Sequence, residues 1–223
     1  MTTKRYGVPF GSHAFMRCKL MPRPQLIRSD IHSYHVTGRC NNKKFFPIPL
    51  ESVWSIMLEE LEYVSNQLSL CVHAFVLMGN HFHLLCHTPK ANLDTIMQSF
   101  MRRTSVRIKA ESGDINHLWG GPYRWSLIRS QKHYFQVYRY IYQNPLRAGL
   151  VKRVESYPYS TLHEVPILVY SFIPMSFGGR EGELEWLNEK YRDDEAEMIR
   201  KGLRRGEFDL NKRNLKSPRR YSA

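Results

Sequence analysis

Residues 71–87, CVHAFVLMGNHFHLLCH, narrow the folds open to this chain more than any other stretch. Two apolar runs flank Gly79 and Asn80, which reads as two adjacent strands joined by a tight connection. Side chains alternate along a strand, so His81 and His83 share one face while Phe82 and Leu84 point into the core. Two imidazoles placed two residues apart can hold a metal ion between them, or can simply decorate the solvent face of an edge strand.

The flanking sequence supplies partners for this pair. Residues 31–40, IHSYHVTGRC, alternate as a strand, with Ile31, Ser33 and His35 on one face and His32, Tyr34 and Val36 on the other, up to a turn at Asn41 and Asn42. Leu50, Val53, Trp54, Met57, Leu58, Leu61, Val64 and Leu68 recur every three or four residues, the pattern of an amphipathic helix. A second helix is expected from Asn92, an N-cap residue, with Leu93, Ile96, Met97, Phe100 and Met101 on its buried stripe. A strand over Arg124 to Ile128 and a third helix from about Lys132 to the Asn144–Pro145 step complete the series. This order predicts an α+β sandwich in which helices cover one face of a largely antiparallel sheet and the other face is left for a site.

The ends differ in composition from this block. Residues 1–24 mix Gly, Pro, Lys and Arg without periodicity and read as a basic N-terminal arm, leaving 25–162 as the central domain and 163–223 as a C-terminal extension. Within that extension, residues 181–197 carry eight acids against Lys190 and Arg192, whereas residues 200–223 carry nine bases against Glu207 and Asp209. An acidic solvated helix followed by a basic tail is the expectation. Across the chain, 33 Lys+Arg against 20 Asp+Glu give a formal charge of +13, which suits a polyanionic partner, nucleic acid before an anionic membrane surface. Cys18, Cys40, Cys71 and Cys86 form no C-x-x-C pair, and no apolar run approaches the length of a signal peptide core or a membrane span, so the chain reads as soluble and cytoplasmic, without a membrane partner.

A second polar constellation lies on the third helix. At about 100° per residue, Phe135, Tyr138 and Tyr142 cluster on one face, the natural core face, and Gln136, Tyr140 and Asn144 on the opposite one. Tyr140 and Asn144 then stand one turn apart, so that a phenol and an amide oxygen project together. They can supply a nucleophile and a third metal ligand to the histidines, or the tyrosine can be simple packing in a tyrosine-rich helix.

Three blocks in order, Tyr34-His35-Val36-Thr37-Gly38-Arg39, Asn80-His81-Phe82-His83-Leu84-Leu85 and Arg139-Tyr140-Ile141-Tyr142-Gln143-Asn144-Pro145-Leu146-Arg147-Ala148-Gly149, resemble the REP-associated tyrosine transposases, within the single-tyrosine HUH transposase group. The resemblance covers about residues 24–162. It implies a ferredoxin-like catalytic core, His81, His83 and Asn144 as metal ligands, Tyr140 as the catalytic nucleophile, and Mg²⁺ or Mn²⁺ as the ion. It further implies cleavage and rejoining of single-stranded DNA beside a hairpin through a 5′-phosphotyrosine, by a monomer or a homodimer.

On that reading Arg39, Lys43, Arg102, Arg103, Arg124, Arg129 and Arg147 are candidate DNA contacts, and Trp119, Tyr123 and Trp125 candidate stacking platforms. No general base for Tyr140 is evident; His133 and His87 are candidates only by proximity in sequence. Two other classes fit parts of the pattern: a non-catalytic sequence-specific DNA-binding protein of the same fold, and a zinc hydrolase using His81 and His83 with His87 or Cys86.

Overall fold

In the computed structural model, which describes residues 25–163, 165, 167, 169 and 178–210, the pair expected at 71–87 forms β2 (Cys71–Met78) and β3 (His81–His87). β1 (Ser33–Arg39) lies on the other side of β3, with β4 (Arg124–Ile128) beyond it, so the sheet order is β2-β3-β1-β4 and every neighbouring pair is antiparallel. α1 (Leu50–Leu68) connects β1 to β2 and α2 (Leu93–Ser112) connects β3 to β4, the split βαβ arrangement of ferredoxin-like folds. The expected N-terminal arm and the basic tail after residue 210 lie outside the described residues.

One face of the sheet is the packing surface for α1 and α2. Tyr34, Val36, Phe75, Leu77, Phe82 and Leu84 meet Met57, Leu61, Ile96 and Phe100, all fully buried, and each such side chain contributes about 1.5–3 kcal/mol of transfer free energy. Both helices end in left-handed residues, Ser69 (φ 62°) and Gly113 (φ 72°), whose N–H groups return to Ser65 and Lys109 carbonyls. Asn92 stands at the start of α2 as expected but does not cap it; its Nδ2 donates to the Leu68 carbonyl at 3.1 Å, satisfying the end of α1 instead.

α3 (Gln131–Tyr142), followed by the short α4 (Asn144–Arg147), packs on the opposite face, against Ala74, Val76, Met78 and Leu85. The helices are therefore divided between the two faces, α1 and α2 on one and α3 on the other, rather than gathered on one side. The cause is the composition of α3: Tyr134, Val137, Tyr138, Tyr140, Ile141 and Tyr142 are all buried, so the helix is apolar around most of its circumference and needs cover on two sides. Phe135, assigned above to the core face, is only half-buried, while Tyr140, assigned to the open face, is 4% exposed.

The second cover comes from beyond residue 162. α5 (Arg180–Asn188) and α6 (Asp193–Gly202) bring Leu187, Ile199 and Leu203 into the core around α3. Buried Gln143 fastens this layer: its Nε2 donates to the Leu187 and Glu189 carbonyls at 2.8 and 2.6 Å, and its Oε1 accepts from the Tyr191 N–H at 3.2 Å. Glu183, in the acidic run, is 6% exposed and accepts the Tyr138 hydroxyl at 2.8 Å. The acidic run is thus partly an inner surface rather than a freely solvated helix.

Both edges of the sheet are covered by the same chain. Along β2, the Leu77 N–H donates to the Tyr159 carbonyl and the Thr161 N–H to the Phe75 carbonyl, at 3.0 and 2.9 Å. Along β4, the Leu127 N–H donates to the Gly206 carbonyl and the Phe208 N–H to the Leu127 carbonyl, at 3.0 and 2.9 Å.

Gly38 shows how tightly the first face is filled. It pairs with Phe82 across β1 and β3, and a Cβ there would stand 2.6 Å from Phe82 Cε1. Gly38→Ala is expected to lower stability by about 1–3 kcal/mol through overpacking. Urea unfolding measures it, and an unchanged midpoint would contradict the packing described.

Candidate active site

The antiparallel register places His83 opposite Thr37 on β1 and Val76 on β2, and His81 opposite Arg39 and Met78. Both histidines project from the face that carries α3, as the alternation within β3 requires. Their ring centroids are 5.1 Å apart, and the Tyr140 ring stands edge-on to His83 at 6.1 Å. Sheet and helix of one chain thus bring together the two motifs that are far apart in sequence.

Each imidazole has its Nδ1 occupied. His81 Nδ1 is 2.7 Å from Asn80 Oδ1, and the Asn80 amide is oriented by its own Nδ2, which donates to the Lys43 carbonyl at 2.7 Å. His83 Nδ1 is 2.9 Å from Nε2 of His35, a residue of β1 that is 2% exposed and stacks on His83 at 5.1 Å. Both histidines therefore keep Nε2 for a ligand. Asn144 donates its Nδ2 to the Tyr140 and Ile141 carbonyls at 2.8 and 3.3 Å, which leaves Oδ1 as the atom it could offer a metal ion. Among the described residues no three His, Cys, Asp or Glu side chains form a metal-binding group. Two imidazoles and one amide oxygen are the donors that these three residues could offer a divalent ion.

Burial sets the charges here. It pushes His35 down to about 3 and, with the Arg39 guanidinium adding to the effect, His81 down to about 4. His83 lies well below its ordinary value through burial and the neighbouring His35, His81 and Arg39. All three rings are neutral at pH 7, the form in which imidazole binds metal. Burial raises the Tyr140 phenol, opposed by the positive charges of Arg147 and of Arg200 on α6. The Arg147 guanidinium lies 5.7 Å from the Tyr140 ring centre.

The candidate DNA contacts fall into separate groups. Arg39 is exposed beside His81, and Arg124, also exposed, pairs with Thr37, the residue that faces His83. Arg147 adjoins the tyrosine. Exposed Lys43 belongs to the turn that orients Asn80. Arg102 and Arg103 lie on α2, across the sheet from the histidines, where Arg103 is ion-paired with buried Glu60 and stacks on Tyr63 at 3.8 Å. Arg129 pairs with Glu207 at 2.8 Å, near the start of α3. Trp119 is partly buried against the first core and donates its indole N–H to the Met101 carbonyl at 3.0 Å.

Neither candidate base adjoins Tyr140. His133 precedes it by two helical turns, about 10 Å along the axis. His87 lies four residues beyond His83 on β3, about 13 Å, and holds the Asp30 carbonyl at 2.6 Å. Cys86 belongs to the opposite core, where burial raises its thiol, so it does not share a site with His81 and His83. Sequence reasoning missed His35 and Asn80 as partners of the histidines. The alternation of Tyr34 and Val36 put His35 off the first core face, but only the side-chain contact across β1 and β3 shows that it meets His83.

A split βαβ sheet presenting H-x-H beside a helix-borne tyrosine is the arrangement that the resemblance to single-tyrosine transposases implies. Residues 29–144, more than half of the chain, match the family model described as Transposase IS200 like, and the chain belongs to that family. It is similar to the REP-associated tyrosine transposase of Escherichia coli (strain K12), with 29% identity over 92 residues, 41% of this chain and 54% of that protein. The match thus spans about half the length of that curated relative. The solved structure of a REP-associated tyrosine transposase bound to a REP hairpin shares the fold, with a TM-score of 0.54 at 20% identity over 63% of this chain and 82% of that one. No helix among the described residues is long and apolar enough to cross a membrane.

The buried rings carry a pH signature. Their folded values lie below the ordinary 6.5, so the unfolded chain takes up protons that the folded one refuses, and stability present above that pH is lost as the pH falls toward 4 and 3. The slope is up to about 1.4 kcal/mol per ring per pH unit. Urea unfolding of metal-free protein between about pH 7 and pH 4.5 should show this fall. His35→Gln should flatten it by one ring's share, and an unaltered slope would mean that His35 is not held neutral.

Proposed function

We propose that the protein is a metal-dependent transesterase that cleaves and rejoins single-stranded DNA beside a hairpin. The observation that carries this reading is the placement of Tyr140 against His83 within one chain, at 6.1 Å between ring centres. The family membership supports strand chemistry on DNA, and the relative solved with a REP hairpin supports a hairpin as the recognised element.

Tyr140 Oη attacks the scissile phosphorus, the P–O3′ bond breaks, and the chain is left with a phosphotyrosine on the 5′ side and a free 3′-hydroxyl. The phenol proton is lost on attack, and the departing 3′ oxygen gains one from solvent. One phosphoester replaces another, so the step reverses readily onto a different 3′ end and strand joining needs no nucleotide hydrolysis. Arg147, whose guanidinium lies beside the Tyr140 ring, stabilises the developing phenolate against the cost of burial. His81, His83 and Asn144 would hold Mg²⁺ or Mn²⁺, which when bound offsets charge on the non-bridging phosphate oxygens. Arg39 and Arg124, exposed beside the histidines, neutralise flanking phosphates.

The test is a labelled single-stranded oligonucleotide containing a hairpin, incubated with protein and Mn²⁺ and resolved under denaturing conditions. A covalent adduct that disappears in Tyr140→Phe is expected, and Arg147→Ala should slow its formation by about 10²-fold, in the range of other transition-state donors. Cleavage without an adduct would point to a hydrolase, and binding alone to a silent DNA-binding relative.

A further inference from the structure

We propose that His35 is a positioning residue that fixes His83 as the Nδ1–H tautomer and so presents a bare Nε2 to the metal. The inference rests on the reading of His83 as a metal ligand. A neutral imidazole in water favours the tautomer protonated at Nε2, which would block that nitrogen. A ligand histidine that binds through Nε2 therefore needs an acceptor at Nδ1.

For His81 the acceptor is plain. Asn80 donates Nδ2 to the Lys43 carbonyl, so its amide cannot be turned over, and Oδ1 can only accept from His81 Nδ1. His83 has no such oxygen. Its Nδ1 faces His35 Nε2 at 2.9 Å, with the rings stacked at 27°, and a single proton lies between the two nitrogens. If it belongs to His83, both ligands match, each with Nδ1 protonated and Nε2 open.

The far side of His35 holds a group that can serve that assignment. With Nε2 accepting, the His35 proton sits on Nδ1, which is buried without a hydrogen-bond partner among the described residues. Directly opposite in the β1–β4 register stands Ser126, fully buried, whose Oγ likewise has no partner there. The two atoms are not hydrogen-bonded to each other, but the Ser126 hydroxyl is the polar group set across β1 and β4 from His35 and can accept from a proton on His35 Nδ1. The same strand pairing that orders the sheet thus sets Ser126 opposite His35.

Long-range ¹H–¹⁵N NMR of the metal-free full-length chain reads the tautomers directly. The wild type should show His83 protonated at Nδ1; a proton on His83 Nε2 would overturn the proposal without any variant being made. In His35→Leu, His83 should shift to the Nε2–H form and Mn²⁺ affinity, measured by electron paramagnetic resonance, should fall by about 10–100-fold. His35→Gln, whose amide oxygen can accept at the position of Nε2, should restore both. An unchanged tautomer and affinity in His35→Leu would refute the role of His35. The ligand reading has its own control: Mn²⁺ affinity unaffected by His83→Ala would refute that reading, whatever the tautomers show.

Discussion

The antiparallel pairing of β1 with β3 is the constraint on which the rest of the molecule depends. Tyr34 opposite Cys86 and Val36 opposite Leu84 build the face that α1 and α2 cover, while Thr37 opposite His83 and Arg39 opposite His81 build the other. Because side chains alternate with period two, a slip of one residue would bury the histidines under α1 and α2 and turn Phe82 and Leu84 toward α3. Gly38, opposite Phe82, fits this register because no side chain competes with the phenyl ring. One ladder thus decides core packing and histidine placement together.

The second face turns that placement into chemistry. α3 carries the tyrosine, but its position depends on what lies outside it. Gln143 joins the end of α3 to the connection between α5 and α6, and Tyr138 and Arg139 reach Glu183 and Tyr191. The helix is clamped between a sheet and a later layer, so the phenol is held against His83 by packing on both sides. The same enclosure raises the energy of a phenolate, and the arginine beside the ring acts against that rise.

Much of this was legible in the sequence. Strand alternation gave the common face of His81 and His83, helical periodicity gave α1 and α2, and the Asn144–Pro145 step marked the end of α3. The partners of those groups were not legible. His35 reads as one more alternating residue until the strand pairing is known, and Asn80 reads as a turn residue until its amide is seen to tie His81 to residue 43. Helical periodicity misplaced Tyr140 because it assumes one buried stripe, whereas α3 has cover on two sides. The acidic run misled for a related reason: local charge does not reveal that Glu183 is an acceptor for a tyrosine 45 positions away.

The covered sheet edges bear on how two copies could meet. Strand-to-strand growth needs a row of open N–H and C=O groups, and here residues 159–161 and 206–208 already occupy those positions on β2 and β4. A second copy could extend the sheet only after peeling one of these flanking segments away. Association through a helix surface, or through a DNA strand held by both copies, breaks none of those bonds. Two copies that meet without breaking those bonds would use a surface other than the edges of the sheet.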